Sequence, residues 1–116
     1  MKAKVKILIV EDDDDVRLNL KNVFLSENSY EIFVASNGLG AITILTENDI
    51  DLIISDYKMD VLGGNLWLKF LQKFCFNIKI IFITGFLEHI ENFPFPILYK
   101  PFNREDIIKM VKNILA

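Results

Sequence analysis

The sequence predicts a doubly wound α/β domain, a five-stranded parallel sheet with helices on both faces. Two observations predict it. Short runs rich in β-branched and aromatic residues recur along the 116 residues, and segments of helical periodicity lie between them. Strands alternating with helices mean βαβ units, and right-handed crossovers then place helices on both sides of a parallel sheet. The length fits one domain over residues 1–116.

The first strand is Val5-Lys6-Ile7-Leu8-Ile9-Val10, too continuously apolar for a strand with one wet face. A helix follows on Val16, Leu20, Val23 and Phe24, with Asp14 as its expected N-cap. Tyr30–Ala35 alternates more and should lie nearer a sheet edge. Asn37-Gly38 is a turn signal that starts a second helix on Ala41, Ile42 and Leu45. Asp51–Ser55 is the third strand, and Gly63-Gly64 opens a helix on Leu66, Leu68, Phe70, Leu71 and Phe74. Ile78–Ile83 and Pro96–Tyr99 are the last two strands. Between them Leu87, His89 and Ile90 allow at most a turn or two of helix before Pro94, so that helix should be short or absent. The closing helix carries Ile107, Ile108, Val111, Ile114 and Leu115, with Asn103 as cap.

Composition excludes several classes. With 52% hydrophobic and 25% charged residues, five Gly and three Pro, the chain is neither disordered nor collagen-like. One cysteine (Cys75) cannot form an internal disulfide, and one histidine (His89) cannot supply a Cys/His zinc cluster. A net charge of −3 carries no nucleic-acid footprint. The first apolar run stops at Val10 against five acids, too early for a leader peptide or a membrane span. A soluble, cytoplasmic domain is expected, without membrane insertion or direct nucleic-acid binding.

In an open parallel sheet the working crevice lies outside the carboxyl ends of the strands. Glu11, Asp12 and Asp13 follow the first run, Asp56 the third, Thr84 the fourth and Lys100 the fifth. Clustered carboxylates repel, by about 4 kcal/mol for two charges ~4 Å apart at an effective dielectric near 20. A divalent cation removes that cost, and an all-oxygen site that retains water suits Mg²⁺. Such a site orients a phosphoryl group while a carboxylate attacks phosphorus. Lys100 would add positive charge and Thr84 a hydroxyl to the same oxygens. The residues therefore point to a Mg²⁺-dependent carboxylate that accepts a phosphoryl group.

Val10-Glu11-Asp12-Asp13, the run Asp51–Asp56, Ile83-Thr84-Gly85 and Tyr99-Lys100-Pro101-Phe102 together resemble the receiver domain of two-component response regulators, in order over essentially the whole chain. The resemblance implies a flavodoxin- or CheY-like sheet of order 2-1-3-4-5. It implies that Asp56 takes a phosphoryl group from a kinase phosphohistidine. Glu11 and Asp12 would hold Mg²⁺ together with Asp56 and the backbone carbonyl of Lys58. Thr84 and Lys100 would bind the phosphoryl oxygens. Lys100-Pro101 would be cis, and Gly85 would leave the phosphoryl group accessible. Expected partners are a sensor histidine kinase or phosphotransfer protein and a downstream effector protein, with homodimer formation compatible.

Three features depart from the family pattern. Asp60 stands where a proline is usual, Ile97 replaces the switch aromatic, and only 16 positions (100 − 84) separate Thr84 from Lys100. They keep open an alternative, a receiver-like interaction module that works without phosphorylation. An aspartate-nucleophile phosphohydrolase of the haloacid dehalogenase kind is disfavoured, because position 58 is lysine where that chemistry wants an acid. The domain is thus expected to be a switch that assists its own phosphorylation and dephosphorylation, not a turnover enzyme. Trp67 and Tyr57 read as packing residues, Cys75 as an inert small hydrophobe, and Phe86 as a screen for the acceptor.

Overall fold

A computed structural model describes residues 3–85 and 93–116. Its elements run β1 (Val5–Val10), α1 (Asp14–Leu25), β2 (Tyr30–Ala35), α2 (Gly38–Glu47), β3 (Leu52–Asp56), α3 (Gly64–Phe74), β4 (Lys79–Thr84), β5 (Ile97–Tyr99) and α4 (Arg104–Leu115). The five strands form one sheet, β2-β1-β3-β4-β5, and every pairing is parallel. The expected order and the edge position of Tyr30–Ala35 both hold.

Side-chain alternation sorts the central strands onto two cores. Leu8, Val10, Ile53, Ile80 and Phe82 face α2 and α3, where Ala41, Trp67, Leu68 and Leu71 close over them. Ile7, Ile9, Leu52, Ile54, Ile81 and Ile83 face α1 and α4, against Leu20, Phe24, Ile107 and Val111. Burial on both faces explains why β1, β3 and β4 read as unbroken apolar runs.

Four expectations shift in detail. The N-cap of α1 is Asp13, not Asp14: its Oδ1 accepts from the amides of Asp15 and Val16 at 2.9 and 3.0 Å. Asp14 and Asp15 instead occupy the first turn, where carboxylates favour the helix dipole. Asp56 and Thr84 are the last residues of their strands rather than the first beyond them, because the ladder continues through Asp56↔Ile83 and Thr84↔Tyr99. On α3 the core face is Trp67, Leu68 and Leu71, while Leu66 and Phe74 are exposed. Asn103 caps α4 as expected, in a reciprocal capping box with Asp106, and Asn37 of the expected turn proves to be the N-cap of α2.

The expectation of a short or absent helix between β4 and β5, with the readings of Phe86, Leu87, His89 and Ile90, falls on residues 86–92, outside the described residues. Gly85 and residues 93–96 on either side are not helical. Phe93 and Phe95 pack inward, and with Phe82 and Tyr57 they form an edge-on and tilted ring cluster with centroids 5.2–6.4 Å apart.

The loop after β3 is drawn tight. Gly64 adopts φ +58°, a conformation glycine takes at little cost, and its amide donates to the Tyr57 carbonyl at 2.6 Å. Gly38, at the start of α2, lies so near this loop that a Cβ there would sit 2.3 Å from the Leu62 carbonyl oxygen.

Candidate functional site

β1 and β3 are neighbours in the sheet, and their C-terminal ends bring Glu11, Asp12 and Asp56 to one edge. One carboxylate oxygen from each lies within 4.8 Å of the others. Lys100 reaches in from the end of β5. Its Nζ donates to Glu11 Oε1 at 3.0 Å and to Asp56 Oδ2 at 3.5 Å. The Lys100 backbone is fixed to β4, because its amide donates to the Thr84 carbonyl at 2.8 Å. The peptide between Lys100 and Pro101 is cis, as expected.

The three acids are held differently. Glu11 is 2% exposed and pinned at several atoms. Its amide donates to the Ala35 carbonyl, its Oε2 accepts from the Asp13 amide at 3.2 Å, and its carbonyl accepts from Arg17 Nη1 at 2.9 Å. Asp56 is 9% exposed, and its Oδ1 accepts from the Tyr57 amide at 2.8 Å. Asp12 is exposed to solvent.

Burial pushes the Glu11 carboxyl above its ordinary value; the hydrogen bond from Lys100 opposes this and the charge of Asp56 adds to it. The Asp12 carboxyl is also raised, by partial desolvation and then by Glu11 beside it. Burial pulls the Lys100 ammonium down, but the hydrogen bond to Glu11 and the charges of Asp56 and Glu11 outweigh it, so its value is raised. Burial leads the shifts of the two acids, and the neighbouring negative charge adds to them and holds the Lys100 proton. An all-carboxylate donor set with one solvent-facing member fits a hard divalent ion that keeps part of its water.

Of the residues singled out in the sequence, Glu11, Asp12, Asp56 and Lys100 converge. Thr84 ends β4 in the same edge, half-buried, and Lys58 lies exposed two residues beyond Asp56. Asp13 is turned to its capping role and is not among the convergent acids. Asp60 is exposed in the loop. Two residues at the site were not legible as such. Arg17 clamps the acidic turn through the Glu11 carbonyl and an ion pair with Asp14; a basic residue in the second turn of a helix carries no signal of that. Ser55, fully buried, accepts a hydrogen bond from Trp67 Nε1 at 2.9 Å. A serine inside an otherwise apolar strand was the available clue.

Comparison with known proteins agrees with this geometry. The family model described as the response regulator receiver domain matches residues 7–112. Sporulation initiation phosphotransferase F of Bacillus subtilis is 34% identical over 116 residues, which covers 95% of this chain and 93% of that protein. Sensor kinase CckA of Brucella abortus is 31% identical over 123 residues, 99% of this chain but only 13% of the kinase. The solved structure of the chemotaxis protein CheY4 of Vibrio cholerae superposes with a TM-score of 0.79 at 26% identity, covering 97% of this chain and 99% of that one. Fold, strand-end chemistry and sequence agree, and the chain belongs to the response regulator receiver domain family.

Proposed function

We propose that this receiver domain, residues 1–116, accepts a phosphoryl group on Asp56 from the phosphohistidine of a sensor kinase or phosphotransfer protein. Receiver domains bind Mg²⁺ at an acidic pocket. Here Glu11, Asp12 and Asp56, with the Lys58 carbonyl, would hold it, and the ion would supply charge neutralisation and orientation of the phosphoryl oxygens. The single observation that carries the reading is the convergence of three carboxylates within 4.8 Å, two of them paired with the Lys100 ammonium.

An Asp56 carboxylate oxygen attacks phosphorus, the new P–O bond forms, and the P–N bond to the donor imidazole breaks with its electron pair returning to the ring. Lys100 moves its charge onto the phosphoryl oxygens, and the Thr84 hydroxyl donates to one of them. The groove of about 400 Å³ between α1 and the Lys100–Arg104 turn, lined by Val16, Leu20, Val23 and Phe102, offers an apolar seat beside the acceptor for a donor protein. The outcome is an acyl phosphate that alters binding to an effector or passes onward in a relay. In this reading the domain acts as a switch rather than a turnover enzyme. Among the described residues no helix is long and apolar enough to cross a membrane.

The alternative, an interaction module indifferent to phosphorylation, draws support from Ile97, which puts an aliphatic side chain in β5 where a switching ring is usual. Intact mass after incubation with Mg²⁺ and acetyl phosphate separates the two. A phosphoryl adduct on the native protein and none on Asp56→Asn is expected. No adduct, with beryllofluoride also failing to perturb the protein, would favour the module.

A further inference from the structure

Among the described residues only three polar or charged side chains are buried: Glu11, Asp56 and Ser55. The first two belong to the acidic site. Ser55 precedes the acceptor and points to the opposite face of the sheet, into the core under α3. Its Oγ accepts from Trp67 Nε1 at 2.9 Å and donates to the Asp56 carbonyl oxygen at 2.8 Å. On the other side of the same peptide plane, the Tyr57 amide donates to Asp56 Oδ1 at 2.8 Å and to the Ile83 carbonyl at 3.2 Å.

These bonds run without a break from the indole of α3 to the acceptor carboxylate. We propose that Ser55 and Trp67 are positioning residues that set the rotation of the Asp56 carboxylate through the Asp56–Tyr57 peptide. The inference rests on Asp56 as acceptor. Turning that peptide breaks the Ser55 bond at its carbonyl end and the Oδ1 bond at its amide end together. With the plane locked, Oδ1 is held by the backbone and Oδ2 is the oxygen left toward Lys100, 3.5 Å away. Catalytic geometry of this kind tolerates little error, and an acceptor that must rotate into line loses rate. Buried hydrogen bonds in a chain also strengthen one another. Ser55 and Trp67 touch no substrate; they act only through the peptide.

The test uses the full chain. Ser55→Ala removes the bond to the Asp56 carbonyl and leaves the indole N–H without its partner. Trp67→Phe removes only the outer bond, and Ser55→Thr keeps the hydroxyl. Acetyl phosphate uptake with Mg²⁺ is measured at a temperature where circular dichroism shows every variant folded. Hydrogen exchange of the Tyr57 amide is followed alongside by NMR, without phosphodonor. Ser55→Ala should slow uptake about tenfold, the equivalent of one net hydrogen bond of about 1.4 kcal/mol. It should also speed Tyr57 amide exchange, while Ser55→Thr restores both and Trp67→Phe falls between. Native uptake and native Tyr57 exchange in Ser55→Ala would overturn the proposal. If Ser55→Ala does not fold, Trp67→Phe decides by the same two readouts. The two readings fail separately. Absence of an adduct on the native protein removes Asp56 as acceptor, and Tyr57 exchange unaltered by the variants removes the relay.

Discussion

Asp12→Asn should make the metal-free protein more stable while removing its response to Mg²⁺. Carboxylate oxygens of Glu11, Asp12 and Asp56 lie within 4.8 Å of one another. Two unit charges at that separation repel by about 3.5 kcal/mol at an effective dielectric of 20. Lys100 lies 3.0 Å from Glu11 and 3.5 Å from Asp56, so those two acids are largely offset. Asp12 is the exposed member, so solvent screens most of its share, and about 1 kcal/mol is a fair expectation for its net repulsion. Replacing one oxygen by an amide removes that repulsion without changing shape. Thermal denaturation in EDTA should therefore place Asp12→Asn above the native protein by roughly 3–5 °C for a domain of this size. Mg²⁺ at ten times its dissociation constant should stabilise the native protein by about 1.4 kcal/mol and leave the variant unmoved. The gap between them then closes when the metal is added. A variant less stable than the native protein in EDTA, or equal Mg²⁺ stabilisation of both, would refute the reasoning.

Two further outcomes follow from the same geometry. Glu11 is raised by burial, so its ionisation disfavours the fold: its contribution is fully present below pH 4.5 and lost as pH rises through its folded value. The metal-free stability of the native protein relative to Glu11→Gln should thus decline as pH rises from 4.5 toward neutrality; urea titrations at several pH values giving a constant difference would contradict this. At Gly38 a Cβ would stand 2.3 Å from the Leu62 carbonyl oxygen, a backbone atom of the loop after Asp56. Gly38→Ala should cost about 1–3 kcal/mol in urea denaturation, and a change below about 0.5 kcal/mol would show that the loop yields freely.

The sheet was legible because burial on both faces leaves little choice of residue: Ile7–Val10, Leu52–Ile54 and Ile80–Ile83 must be apolar whichever way they point. The acidic site was legible for a related reason. The polar residues that close such runs stand at strand ends, and parallel strands put those ends on one edge. What escaped depended on contacts that periodicity does not encode. On α3 Leu66 and Phe74 are as apolar as Leu68 and Leu71, yet they are 63% and 61% exposed, while Trp67 is buried with Leu68 and Leu71. The α1 cap moved by one residue because five consecutive acids offer several equivalent oxygens, and only the turn decides that Asp13 accepts from the Asp15 and Val16 amides. Trp67 read as packing, which it is, but its Nε1 also needs a buried acceptor, and Ser55 lies twelve residues away in sequence.

The three acids divide the work of the site by how they are held. Asp56 is fixed from within the core, by its own peptide plane and the strand pairing to Ile83, so its carboxylate is presented in one orientation. Glu11 is fixed as firmly, through Ala35, Asp13, Arg17 and Lys100. Asp12 alone faces water. A cation held by three buried carboxylates would shed nearly all its water and leave slowly. With one ligand exposed it would keep exchangeable water positions that phosphoryl oxygens could take. Rigid placement of the proposed acceptor and ready exchange of the proposed ion would be conflicting demands on a single acidic cluster. This chain separates them by burying two carboxylates and leaving the third at the surface.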